Sequence, residues 1–136
     1  MRVYVHSSAL MKRVVAEAES AELMSFLDAH YQQDAMLTSS SLTWIDVSRA
    51  VLLHATSPIA AGDLIDEALS GIDERPITTD VVSVARRLEP STRRTLDAIH
   101  LATAIVIDAD IVVTYDDRLA DACRRNTLAV ATPGRD

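Results

Sequence analysis

Cysteine is almost absent from this sequence. Cys123 stands alone, which excludes a disulfide framework and a cysteine-built metal cluster and makes a reducing cytoplasm the expected compartment. Aromatic side chains are scarce too, at 4% of residues, so base stacking is a poor basis for nucleic-acid recognition and contacts to phosphate are the better expectation. No apolar run reaches the ~20 residues that span a bilayer, and Met1–Arg2 leads straight into a strand pattern rather than a signal peptide. Positive charge is short. The net charge of −7 argues against holding nucleic acid by overall attraction, and leaves either a solvated acidic surface or a concentrated acidic site that recruits a divalent cation. Lysine occurs once, at Lys12. The basic pairs Lys12–Arg13, Arg86–Arg87, Arg93–Arg94 and Arg124–Arg125 read as helix-surface pairs, with phosphate contacts as the alternative. With three glycines and no repeat or linker, the 136 residues read as a single domain, 1–136.

What is present is a 49% hydrophobic chain in which strand and helix patterns alternate. Arg2–His6 alternates and is β-branched, hence a strand; Ser7–Ser8 then cap a helix from Ala9 to about Val15 or Ala16. Ser20–His30 is a second helix, with Leu23, Phe26 and Leu27 on one stripe, and Met36–Ser40 a second strand. Ser41 or Thr43 caps a helix to His54 that carries Asp46 in its first turn, and Ala60–Leu69 is another helix, stopped by Gly71. Ile72–Ile77 is a polar strand weakened by Pro76, and Thr79–Asp80 caps a helix from Val81 to Leu88. Asp110–Tyr115, DIVVTY, is the clearest buried strand. Asp116–Asp117 caps a helix to Arg125, which Asn126 ends, and Leu128–Ala131 is a last strand. The expected class is α/β: a central parallel sheet flanked by helices on both faces.

Between these lies TLDAIHLATA, Thr95–Ala104, on which the functional reading turns. Thr95 is the expected N-cap, Leu96, Ile99 and Thr103 repeat at helical spacing as a buried stripe, and Asp97 falls in the first turn. His100 is on the same face as Asp97, although a core or surface histidine is its plainer reading than a second donor beside a site. Asp97 alone would pass for a helix-capping device. The other carboxylates change that. Open parallel sheets bind ligands at the carboxyl ends of their strands, and there His6 ends the first strand and Asp116 follows DIVVTY. If the helix starts carrying Asp46 and Asp97 share that edge, three carboxylates and an imidazole meet, with Asp117 a candidate fourth acid. Such a cluster repels itself, and a divalent cation such as magnesium or manganese relieves the repulsion and can activate water at phosphorus.

Four segments, YVHSSALMKRVVAEAES, SSLTWIDVSRA, RTLDAIHLATA and VTYDDRLADA, together resemble the PIN-domain ribonuclease toxins of bacterial VapBC toxin–antitoxin modules, in order and over nearly the whole chain. The resemblance implies a PIN-like fold, an Mg2+- or Mn2+-dependent endoribonuclease, a cognate VapB-like antitoxin, RNA as substrate, and a homodimer within a larger toxin–antitoxin assembly. Residue by residue, Asp97 matches the family's central metal-binding aspartate and Asp116 the acid after the last long strand, with Asp117 an auxiliary. Asp46 stands where glutamate is usual, one methylene shorter, so a water-bridged contact is expected. Ser8 and Thr114 match hydroxyl positions, for which structural capping is an equal reading.

His6 departs from the pattern, which has aspartate at the end of the first strand. An imidazole offers one nitrogen and no negative charge, whereas magnesium wants oxygen, so weak magnesium affinity and little or no nuclease activity are expected of this exact chain. Manganese or zinc tolerates nitrogen better. Three accounts of His6 stay open: an introduced inactivating change, a naturally degenerate member, or an active variant with altered metal preference. The rival function is a catalytically silent domain that binds an antitoxin or another partner. A phosphoacceptor receiver domain is set aside, because its lysine should follow a late strand and Lys12 lies in the first helix. His30 and His54 read as helix-end residues, Cys123 as a small core residue, and Trp44 and Phe26 as packing or partner-groove residues. The apolar helices Ala21–His30, Trp44–His54 and Ala60–Leu69 lead us to expect self-association.

Overall fold

The structure is a computed structural model that describes residues 1–92 and 94–135; Arg93, half of one expected basic pair, lies outside the described residues. Strand β1 (Arg2–Val5) is the centre of the sheet because it is apolar on both sides: Val3 and Val5 face one layer and Tyr4 the other, all three fully buried. β2 (Met36–Ser40) and β4 (Ile111–Val113) flank it, with Val3 opposite both Leu37 and Ile111, and the edges are β3 (Asp73–Arg75) and β5 (Ala129–Ala131). The order is β3-β2-β1-β4-β5, all parallel.

Two cores result. On one face Val3, Val5, Leu37 and Val113 pack with α2 (Ser20–Gln32), α3 (Ser41–His54) and α4 (Pro58–Leu69) through Leu23, Leu27, Val47, Val51 and Leu69. On the other, Tyr4 and Val112 pack with α6 (Thr95–Val106) and α7 (Asp117–Arg125) through Leu101, Ala104, Leu119 and Cys123. Each such aliphatic chain, once buried, contributes about 1.5–3 kcal/mol. The expected α/β class with a parallel sheet covered on both faces is what the chain adopts. The short helices α1 (Ser7–Leu10) and α5 (Thr79–Ala85) complete the helical set among the described residues.

Several element starts differ from the sequence expectation, each for a local hydrogen-bonding reason. The first helix begins at Ser7, not Ala9, because His6 is its cap and accepts the Ser8 N–H; it passes into a 3-10 turn at Met11–Arg13 instead of continuing toward Ala16. Ser40 accepts the Leu42 N–H and starts α3 at Ser41, which leaves Asp46 in the second turn, not the first. Thr78, not Thr79–Asp80, caps α5 by accepting from Val81, and that helix ends at Ala85. Thr95 is the first helical residue of α6; its cap position is Arg94, with no side-chain bond. α6 buries Ala98, His100, Leu101, Ala102, Thr103 and Ala104, so of the expected stripe Thr103 is buried and Ile99 partly buried, while Leu96 is 54% exposed. Lys12 is not a surface cation either. Its ammonium is buried, 2.9 Å from Glu17 and 3.1 Å from Glu19 and over the Tyr115 ring, while Arg13 donates to the carbonyls of Ala68 and Ser70.

Candidate active site

The sheet order reverses between β1 and β4, where successive crossovers leave in opposite directions, and a crevice opens beyond the carboxyl ends of those two strands. His6 follows β1 directly, and Thr114, Tyr115 and Asp116 follow β4. The starts of α3 and α6 close the sides. The result is a cleft of about 510 Å³ lined by His6, Asp46, Asp97 and Asp116, together with Ser7, Arg94, Thr95, Leu96 and His100.

Three of the expected residues do local structural duty at this edge. Ser8 Oγ accepts the Tyr115 N–H at 2.9 Å and lies 2.9 Å from His6 Nδ1, and Thr114 Oγ1 accepts the Asp116 N–H at 3.1 Å while lying 3.2 Å from the same nitrogen. These hydroxyls tie the start of α1 to the end of β4 and hold the His6 ring. Asp116 caps α7, accepting the N–H groups of Arg118 and Leu119 through Oδ1. Asp117 is 94% exposed, does not line the cleft, and faces Arg135 at 3.6 Å.

His100, expected as a core or surface histidine in preference to a donor beside the site, is both buried and part of the site. It is 2% exposed, its Nδ1 lies 2.6 Å from the Tyr4 hydroxyl, and its Nε2 lies 3.3 Å from Asp46 Oδ2. Its ring stands edge-on to His6, centroids 4.6 Å apart at 86°. Tyr4 in turn accepts the Ser40 N–H, so a buried polar chain runs from the cap of α3 through Tyr4 and His100 to Asp46. The signal for this was its position three residues after Asp97, in a run from Ala98 to Val106 where only His100 and Thr103 are polar.

The electrostatics follow from burial and neighbours. Burial, then the charge of the adjacent His100, lowers His6 to about 3, although Asp116 and Asp46 oppose this; its imidazole is neutral at neutral pH. Asp97 is raised above the usual carboxylate range, first by burial and then by the Asp116 charge, with His100, Arg94 and Arg118 only partly compensating. Burial pushes Asp46 the same way, but the His100 hydrogen bond and charge, aided by His6 and Ser7, outweigh it and hold Asp46 below the usual range. Two acids facing each other across a cleft, one of them strained toward its neutral form, are an arrangement that added positive charge stabilises. His6, Asp46 and His100 each offer a ligand atom within 4.8 Å of the other two, the geometry of a group able to hold a metal ion. Asp97 and Asp116 line the same cleft outside that trio. A smaller hollow shares Arg94 and Asp97 with the cleft and adds Arg118 and Arg125.

The PIN domain profile matches residues 3–125. Among curated relatives, Ribonuclease VapC46 of Mycobacterium tuberculosis is 38% identical over 96% of this chain and 97% of its own length, and Ribonuclease VapC47 of the same species is 34% identical over 97% of each. Among solved structures, the VapBC2 complex of Rickettsia felis bound to a promoter DNA fragment superposes with a TM-score of 0.77 at 12% identity, covering 96% of this chain and 98% of that one. A toxin–antitoxin complex from Klebsiella pneumoniae gives 0.69 at 18%, covering 96% and 97%. At such identities the structural likeness is one of fold.

Proposed function

The chain belongs to the PIN-domain family, in its VapC branch, and on that premise we propose that it is the endoribonuclease toxin of a toxin–antitoxin pair, depressed in activity by His6. The observation that carries the reading is the meeting of Asp46, Asp97 and Asp116 in one cleft from three separate elements. Asp97 and Asp116 would hold a magnesium or manganese ion there, which when bound would supply Lewis-acid activation of water and offset charge developing at phosphorus. The raised Asp97 carboxyl, repelled by Asp116, is the pair that such an ion would relieve. Asp46, ionised and anchored by His100, orients the attacking water through its free oxygen, and its shorter reach favours a water-bridged contact. Arg94, Arg118 and Arg125 offer the RNA backbone a cationic track alongside the acids, which a chain of net charge −7 needs locally. Ser8 and Thr114 position His6, and Asp117 adds negative charge from outside the cleft.

The oxygens available for magnesium fall one short, because position 6 contributes a buried neutral ring. That observation favours a second reading, in which this chain works by binding its partner without cutting RNA. The toxin–antitoxin complexes among its structural neighbours support an antitoxin partner and a larger assembly under either reading, within which we propose a homodimer. Among the described residues no helix is long and apolar enough to cross a membrane. The deciding experiment is His6→Asp. It is expected to raise divalent-metal affinity and RNA cleavage by at least tenfold and to arrest growth on expression, and Asp97→Asn added to it should abolish all three gains. A reverted chain that neither binds metal nor cleaves RNA sinks the nuclease reading.

A further inference from the structure

We propose that His6, His100 and Asp46 form a two-histidine, one-carboxylate metal site selective for a borderline transition ion, zinc in preference to magnesium, in place of an all-oxygen site. The inference occupies the cleft assigned to the nuclease and rests on that reading for its functional meaning, but its geometry stands without it.

The spacing fits. A zinc ion with bonds of ~2.1 Å in tetrahedral geometry holds its ligand atoms roughly 3.4 Å apart, and His100 Nε2 lies 3.3 Å from Asp46 Oδ2. His6 turns its Nε2 the same way: Ser7 Oγ lies 3.4 Å from it and donates to Asp46 Oδ2 at 3.4 Å, bridging the two ligands. All three donors are within 4.8 Å of one another. Each imidazole also has its far nitrogen held by a hydroxyl oxygen, His100 Nδ1 by Tyr4 at 2.6 Å and His6 Nδ1 by Ser8 at 2.9 Å. Metal-bound histidines have such a partner, which fixes the ring and its tautomer; at His6 that tautomer puts the proton on Nδ1, so metal binding exchanges the Ser8 N–H contact for an Nδ1–H bond to Ser8 Oγ. Both rings are buried to 7% exposure or less while Asp46 is 31% exposed, so the nitrogens are preset and the open coordination positions face the cleft.

The donor chemistry decides the ion. Magnesium demands near-octahedral oxygen and gives up water reluctantly, and two neutral nitrogens with one carboxylate meet neither demand. Imidazole with carboxylate suits zinc and its neighbours, and zinc stands well above manganese in the affinity order for such sites.

The test is calorimetric titration of the metal-free, untagged full chain with Zn2+, Co2+, Mn2+ and Mg2+, with Co2+ also read by its visible absorption. One equivalent of Zn2+ is expected, bound at least 100-fold tighter than Mg2+, with Co2+ developing ligand-field bands. Asp46→Asn, a change that keeps the side chain's size and one acceptor oxygen, should weaken Zn2+ at least tenfold, as should His100→Gln where circular dichroism shows it folded. His6→Asp should cut the Zn2+-over-Mg2+ preference at least tenfold. Zinc binding indifferent to both Asp46→Asn and His6→Asp, or magnesium bound as tightly as zinc, overturns the proposal. The two readings fail separately: a zinc-loaded trio beside a His6→Asp chain that cuts no RNA removes the nuclease and keeps the site, and the reverse outcome removes the site and keeps the nuclease.

Discussion

At position 6 the ring is sealed between His100, Asp46, Asp116 and the hydroxyls of Ser8 and Thr114, and the protein is tied to its neutral form. The unfolded chain takes up a proton near pH 6.5, whereas the folded one holds off to about 3, so the unfolded state binds more protons between those values. Stability is therefore full above pH 6.5 and falls as the pH drops toward 3. From pH 7 to pH 5 the loss is about 2 kcal/mol by linkage, and urea unfolding at the two values should show it in the native chain and not in His6→Gln. Equal losses in both chains would mean that another group governs the acid limb. Cys123 gives a second prediction at this scale. Burial pushes its thiol to about 12, so at pH 8 it should resist a disulfide reagent until denaturant is added; fast labelling of the native protein would contradict its fully buried place on the sheet-facing side of α7.

Among the elements, α6 and α7 matter most, because both present acids to the cleft while packing on the same face of the sheet. Leu101 is fully buried where α6 meets Tyr4 and Val112, and Leu101→Ala should cost about 2–5 kcal/mol in chemical denaturation. Asp116 caps α7 and faces Asp97 at once. Asp116→Ala removes the cap, worth about 1 kcal/mol, yet it also removes the charge that raises Asp97. The Asp97 carboxyl should then titrate at lower pH by carbon-13 NMR, a shift that loss of a cap alone does not produce. The helix bodies were readable in the sequence because apolar periodicity and the breakers Gly71 and Pro90 bound them. Their starts were readable only in part: α2 begins at Ser20 and α7 behind Asp116 as expected, but His6, Ser40 and Thr78 took cap positions that neighbouring residues were equally fit to fill, since which hydroxyl or ring reaches a free N–H depends on the strand it comes from.

At the scale of the whole molecule, the helices α3 and α4 leave Leu52, Leu53 and Ile59 exposed by 61%, 81% and 80%, close together in sequence at the junction of the two. An acidic domain of 136 residues that shows such chains to water is expected to self-associate, and light scattering should give twice the monomer mass. A monomer at high concentration would count against this. The order of strand and helix patterns determined the α/β class, the parallel sheet and the strand ends that carry His6 and Asp116, because hydrophobic periodicity is a local property and a parallel sheet needs nothing else to be recognised. What only the tertiary structure decided is which groups touch. His100 joins Asp46 across 54 positions, Tyr4 holds His100 across 96, and Asp117 turns out to Arg135 while its neighbour Asp116 turns in. Those outcomes depend on strand order and on the roll of α6 about its axis, which are fixed by how two cores pack against a single sheet and so are written in no one segment of the chain.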